Sequence, residues 1–253
     1  MNQPLISIIT VTYNAADALR PTMASVADQL FTDYEHIIVD GASTDSTLNI
    51  AQELATDRTI IHSEPDNGIY DAMNRGRGLA RGIYLIYLNA GDTFHSPRTL
   101  GMIANAIHDT DTPGIVYGQT VIVSGEERAV TGPRHLTAPA HLTYRSFADG
   151  MVVCHQAMAV LKRITSPYDT RYKYSADYEW VIKCLQHSRH NTYIDDILID
   201  YLDEGATTKH LTTSLMERFR IMCRYYGTLP TIIRHVKFAS RGIKRRLLTN
   251  SKQ

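Results

Sequence analysis

An α/β fold built on a mainly parallel sheet with helices on both faces is predicted by three features of the first hundred residues. Short β-branched runs alternate with stretches whose apolar residues recur at helical spacing. Alternation of that kind demands crossover connections, and these hold the strands parallel. Each run then ends in a polar or glycine-rich segment, as expected where the carboxyl ends of strands open into a binding crevice.

The elements follow in order. Leu5–Thr12 is a buried strand, and Ala16, Leu19, Met23, Val26, Ala27 and Leu30 mark the next helix, with Pro21 tolerable in a first turn. Tyr34–Asp40 is the second strand, and Gly41–Asp45 is a turn of capping residues. A helix follows through Leu48, Ala51, Leu54 and Ala55. Thr59–Ser63, the helix Ile69–Ala80, the strand Ile83–Leu88 and the helix Pro97–His108 complete this half. Gly114–Leu161 reads as strands and loops, Ser175–Ser188 as a helix, Tyr193–Tyr201 as a strand and Leu211–Tyr226 as a helix. The expected organisation is one domain over 1–210, with a nucleotide-binding half (1–110) and an acceptor half (111–210), followed by a basic helical tail over 211–253.

The strand ends carry the chemistry. They are Thr12-Tyr13-Asn14, Asp40 through Asp45, Glu64 through Gly68, and Asn89-Ala90-Gly91-Asp92. Neither a GxGxxG after the first strand nor a GxxxxGK[ST] loop is present, so the dinucleotide fingerprint and the triphosphate-cradling loop are excluded. A carboxylate-rich crevice repels a bare diphosphate, and a divalent cation, Mn2+ or Mg2+, is the simple remedy. Asp92 is expected to point into the crevice as its ligand. Asp40 can accept hydrogen bonds from a base N–H. Asp45 serves equally well as a helix N-cap.

Composition bounds the rest. The 253 residues are 43% hydrophobic and 21% charged, values of an ordinary globular chain. No run reaches the roughly 18 residues needed to span a bilayer, and the N-terminus lacks the marks of a signal peptide. Cys154, Cys184 and Cys223 form no CxxC pair and point to a reducing cytosol.

The ordered segments SIITVTYN, VDGASTDST, SEPDNGIYDAMNRG and LNAGD resemble the family 2 glycosyltransferases of GT-A (Rossmann-like) fold, in the subgroup serving bacterial exopolysaccharide, colanic-acid and O-antigen synthesis. The resemblance is tight over 5–92 and looser to about 210. It implies a nucleoside-diphosphate sugar as donor and a saccharide, lipid-linked in such pathways, as acceptor. It also implies that Thr12, Tyr13, Asn14, Asp40, Asp45, Gly68, Asn74, Asn89 and Gly91 line the sugar nucleotide. In the metal-binding D-x-D-D element only Asp92 keeps its carboxylate, and Met73 stands where the family has Arg. Asp177, in Tyr174–Trp180, matches the catalytic base of an inverting transfer, although a carboxylate opening a helix also serves as a cap. His155 and Gln156, in VVCHQAM, resemble an acceptor-side segment, and a lone histidine beside Cys and Val is also a common core residue.

Zero formal net charge hides an asymmetry: residues 218–253 hold ten Lys and Arg and no acid, so the rest of the chain is acidic. Ile232, Val236, Ala239, Ile243 and Leu247 share one helical face, opposite Arg234, Lys237, Arg241, Lys244 and Arg245. That pattern suits an anionic membrane interface, placing the protein on the inner face of the cytoplasmic membrane. Packing on the protein's own acidic body is the alternative. Nucleic acid is not expected, because no aromatic stacking platform accompanies the basic residues. Two other functions stay open: a nucleotidyltransferase, for which VTYNAADAL lacks a triphosphate-holding loop, and a non-catalytic sugar-nucleotide-binding or scaffold protein at the membrane.

Overall fold

The computed structural model describes residues 3–125, 127–134, 136–203 and 210–236. The first half runs β1 (Ile6–Thr12), α1 (Ala16–Ala27), β2 (Tyr34–Asp40), α2 (Thr47–Glu53), β3 (Thr59–Ser63), α3 (Ile69–Leu79) and β4 (Tyr84–Tyr87). There follow β5 (Thr93–Phe94), α4 (Thr99–Asp109), β6 (Ile115–Ser124), β7 (Ala129–Pro133), β8 (Met158–Leu161), α5 (Ala176–His187), β9 (Asn191–Leu202) and α6 (Leu211–Tyr226). Residues 228–236 are again helical.

Among the described residues, nine strands join one sheet in the order β3-β2-β1-β4-β8-β6-β9-β5, with β7 paired to β6. The first half is the parallel sheet expected. Its register aligns Thr12 with Asp40 and Asp40 with Ser63, so the polar residues ending β1, β2 and β3 stand in one row. The second half is mixed: β8 is antiparallel to both β4 and β6, whereas β6 and β9 run parallel. The central strands are apolar on both faces because both are covered. Ile9, Val11, Ile37 and Val39 pack with α3 and α5 on one side, and Ile6, Ile8, Tyr34 and Ile86 pack with α4 on the other.

Three expectations change. Pro21 falls in the second turn of α1, not the first, so the carbonyl of Asp17 lacks its helical donor; Asp17 is exposed, and water can take that role. The helix from Leu211 is no separate tail: Ile221 and Met222 enter the main core, and buried Glu217 accepts the backbone N–H groups of Lys173 (2.8 Å) and Tyr174 (2.9 Å). The division at 210 is therefore corrected, since α6 completes the body. Of the amphipathic tail, positions 237–253 lie outside the described residues. Among the described residues no helix is long and apolar enough to cross a membrane.

Candidate active site

Two polar groups of residues occupy the carboxyl-end rim. The first is a scaffold around Asp40. Its carboxylate is fully buried and accepts the Ser43 backbone N–H (3.0 Å), the Ser43 hydroxyl and the Ser63 hydroxyl (2.6 Å). Asn14, at φ 46°, receives Thr44 N–H on Oδ1 (2.8 Å) and donates its own N–H to Ser43 Oγ (2.8 Å). The β1 and β2 loops are thereby tied together. Exposed Tyr13 lies beside Gly41 and Asp66, where a Cβ on Gly41 would meet Asp66 Oδ2 at 2.5 Å and Tyr13 Cδ2 at 3.3 Å. An open aromatic face with carboxylates around it can stack a base and accept from its N–H groups.

Asp45 sits at the start of α2, where Oδ1 accepts Thr47 N–H (2.9 Å) and the Thr47 hydroxyl (2.5 Å). Those bonds, the hydroxyl first, hold its carboxyl below the usual range. Its partners are those of a cap. Gly68, at φ +112°, caps α3, and its N–H reaches Asp66 Oδ1 (2.8 Å).

The second group surrounds a cavity of about 460 Å3. Of the residues expected from sequence, Asn89, His155, Gln156 and Asp177 line it. Asp177, in the first turn of α5, accepts the Tyr70 hydroxyl at 3.0 Å on Oδ1 and faces His155 Nδ1 at 3.5 Å on Oδ2. Burial raises the Asp177 carboxyl, but the hydrogen bond and charge of His155, then Arg218 and Tyr70, outweigh it and leave the group below the usual range. Sequence reasoning missed the cavity's cations, Arg134, Lys173 and Arg218, and the carboxylate of Asp203. Arg218 also has a buried Nε without a partner. These three basic side chains line the same cavity as Met73. Basic residues outside the early motifs were the only available signal for them.

Three of the expected site residues are engaged within the fold. Asp92 does not line the cavity: it is buried, Oδ2 accepts Gln156 Nε2 (2.8 Å), and Oδ1 accepts Leu202 N–H (3.1 Å). Burial pushes its carboxyl up to about 6. Asn74 is engaged in the fold, its amide bridging both backbone groups of Tyr168 (2.7 and 3.0 Å). Gly91 takes φ +102°, and a Cβ there would lie 2.9 Å from Leu202 Cδ2; it shapes the turn that buries Asp92.

What remains for a divalent ion is sparse. Among the described residues no three His, Cys, Asp or Glu gather to hold one. At the cavity, however, Asn89 Oδ1 is buried and unpartnered, and Asp203 adds a carboxylate. One amide and one carboxylate oxygen, completed by substrate phosphates, fit a hard ion such as Mg2+ or Mn2+.

Residues 7–165 match the sequence model described as glycosyl transferase family 2. A PGL/p-HBAD biosynthesis glycosyltransferase of Mycobacterium tuberculosis is 34% identical over 213 residues, covering 81% of this chain and 80% of its own. The Escherichia coli UDP-Glc:alpha-D-GlcNAc-diphosphoundecaprenol beta-1,3-glucosyltransferase WfaP is 24% identical, covering 91% and 95%. In fold, the Pyrobaculum calidifontis mannosyltransferase PcManGT, solved with GDP-Man and Mn2+, superposes with a TM-score of 0.60 at 16% identity, over 99% of this chain and 80% of that one.

Proposed function

The chain belongs to glycosyl transferase family 2, and on that premise we propose that it moves a sugar from a nucleoside diphosphate to a hydroxyl of a lipid-linked saccharide, by single displacement with inversion. One observation carries the reading. Asp177 and His155 lie together in a cavity that also presents Arg134, Lys173 and Arg218. A sugar hydroxyl is a weak nucleophile until a base takes its proton, and a departing diphosphate needs positive charge opposite that base. The cavity holds a candidate base and three cationic side chains together. The donor's base rests on the Tyr13–Asp40–Asp66 rim, and its diphosphate faces the three cations. A divalent ion, when bound by Asn89 and Asp203, adds Lewis-acid charge at the leaving group. WfaP's lipid-linked acceptor and PcManGT's nucleotide sugar and Mn2+ support this choice of substrates and metal.

Residues 228–236 bear on location. Leu229, Ile232, Ile233 and Val236 are all exposed, at the i, i+3, i+4, i+7 spacing of one helical face. With the basic residues that follow in sequence, this face supports attachment to anionic lipid, where cell-surface saccharides are built on lipid carriers. Flotation with anionic vesicles tests it: wild type should float, and Ile233→Asp with Val236→Asp should not. Equal flotation would dismiss the idea.

The transferase reading is tested with a donor panel (UDP-glucose, UDP-N-acetylglucosamine, GDP-mannose), GlcNAc-diphosphoundecaprenol and Mn2+, scoring nucleoside diphosphate release. Release matched by glycosylated lipid is expected. Tight nucleotide binding without release would favour the non-catalytic alternative.

A further inference from the structure

We propose that the end of the sheet opposite the cavity around Asp177 carries a second anion site, suited to a diphosphate group. The site is independent of the transferase reading.

Strands β4, β6 and β9 begin at this end, and antiparallel β8 finishes there. The segments before Tyr84, Ile115 and Asn191 therefore converge with the segment after Leu161. Backbone hydrogen bonds fix them to one another. Lys162 N–H donates to the Ile83 carbonyl (2.8 Å), Leu161 N–H to Gly114 (2.9 Å), and Gly114 N–H to His190 (3.0 Å). A Cβ on Gly114 would run into Ser188, so the glycine lets the 187–190 segment close over β6. Two adjoining cavities, of about 380 and 550 Å3, open between these segments and share Thr112, Leu161 and Arg163. Neither has a lining residue in common with the cavity around Asp177.

Their walls are cationic, although the chain before residue 218 is acidic overall. Arg163 and Arg189 line the smaller cavity, and Arg77, Lys162 and Arg163 line the larger. Among the described residues Asp111 is the one carboxylate on either wall. Arg77 is partly engaged, donating to Thr165 Oγ1 (2.9 Å) and to the Thr165 carbonyl (2.8 Å), and Lys162 donates to the Ala80 carbonyl. Arg163 and Arg189 are exposed, and among the described residues no hydrogen bond or ion pair engages either guanidinium. A concave wall of one sign concentrates counter-ions.

The chemistry of the wall narrows the ligand. A guanidinium fork matches carboxylate and phosphate oxygens alike, so charge decides between them. A carboxylate brings one negative charge, whereas a phosphate group brings about −1.5 to −2 near neutrality. Four fixed cations against one acid are matched by two linked phosphates and left in excess by a carboxylate. No aromatic side chain lines either cavity, so a nucleotide base has nothing to stack on. That separates this end of the molecule from the Tyr13 rim. The diphosphate belongs either to a small soluble molecule or to a lipid headgroup.

The test uses the 15N-labelled full chain without metal and with UDP in excess, so that nucleotide occupies the other end. One arm adds inorganic pyrophosphate, and the other adds phosphatidylcholine vesicles containing cardiolipin. Pyrophosphate should shift the amide signals of 111–114, 161–164 and 187–190. Arg163→Gln with Arg189→Gln, two exposed positions, should weaken that binding by about tenfold or more and leave UDP affinity unchanged. Vesicle binding that the double variant weakens, without pyrophosphate shifts, assigns the diphosphate to a lipid. Shifts confined to residues around Asp177, equal pyrophosphate affinity in both forms, or no pyrophosphate shifts with equal vesicle binding overturns the proposal.

Discussion

Replacing Asp92 by Asn tests the distinction between a buried structural carboxylate and a metal ligand. Its carboxyl is raised from an ordinary 3.8 to about 6 because burial opposes ionisation more than Gln156 and Leu202 favour it. At about 1.4 kcal/mol for each tenfold change in proton affinity, the charged form costs the native state about 3 kcal/mol once fully ionised. The folded carboxyl binds its proton more tightly than the unfolded one does. The native state is therefore favoured below pH about 4 and loses that advantage as pH rises through about 6. Between pH 5 and pH 8 the linkage relation gives about 1.4 kcal/mol. Urea denaturation of wild type and Asp92→Asn at both pH values isolates this group, because other titrations cancel in the difference. Wild type should lose about 1.4 kcal/mol more than the variant from pH 5 to pH 8, and Mn2+ dependence of turnover should be retained by the variant. A pH-independent difference, together with loss of Mn2+ dependence in Asp92→Asn, would refute the reasoning.

Further outcomes follow from single contacts. Gly91→Ala forces a methyl to 2.9 Å from Leu202 at φ +102°, and should destabilise by about 1–3 kcal/mol in urea melts. Glu179 is fully buried and accepts Lys183 (2.8 Å), Arg224 (3.0 Å) and Tyr225 (3.1 Å), fastening α5 to α6. Breaking such a pair costs about 3–5 kcal/mol when both charges are buried. Arg224 is 53% exposed and rehydrates, so Glu179→Gln should lower stability by about 1–3 kcal/mol in the same melts. Native-state alkylation at pH 8, followed by mass spectrometry, should modify Cys223 first. Cys154 and Cys184 are buried, with the Cys154 thiol pushed up to about 12.

Local pattern made much of this molecule legible. Tyr34–Asp40, Thr59–Ser63 and Leu211–Tyr226 have the ends that their residues suggest, because β-branched runs bounded by polar turns and a long helical apolar repeat leave little choice. The two-residue strand Thr93–Phe94 has no periodicity to read; its partner in β9 defines it. The site divides in the same way. Asp40 and Asn14 could be placed because the turn residues that hold them are motif residues, and Asp177 because it opens a helix. The orientation of Asp92 depends on Gln156 and Leu202, 64 and 110 residues away, and Asn74 is claimed by Tyr168, 94 residues on. No local pattern reports such partners. Arg134, Lys173 and Arg218 likewise reach the cavity from separate segments.

The stereochemistry of the product tests the central claim most directly. A single base on one side of the anomeric carbon, with the diphosphate leaving from the other, requires inversion. With an α-linked nucleoside-diphosphate sugar, proton NMR of the released saccharide should show a β-glycosidic bond. An α-glycosidic bond would contradict single displacement at this cavity.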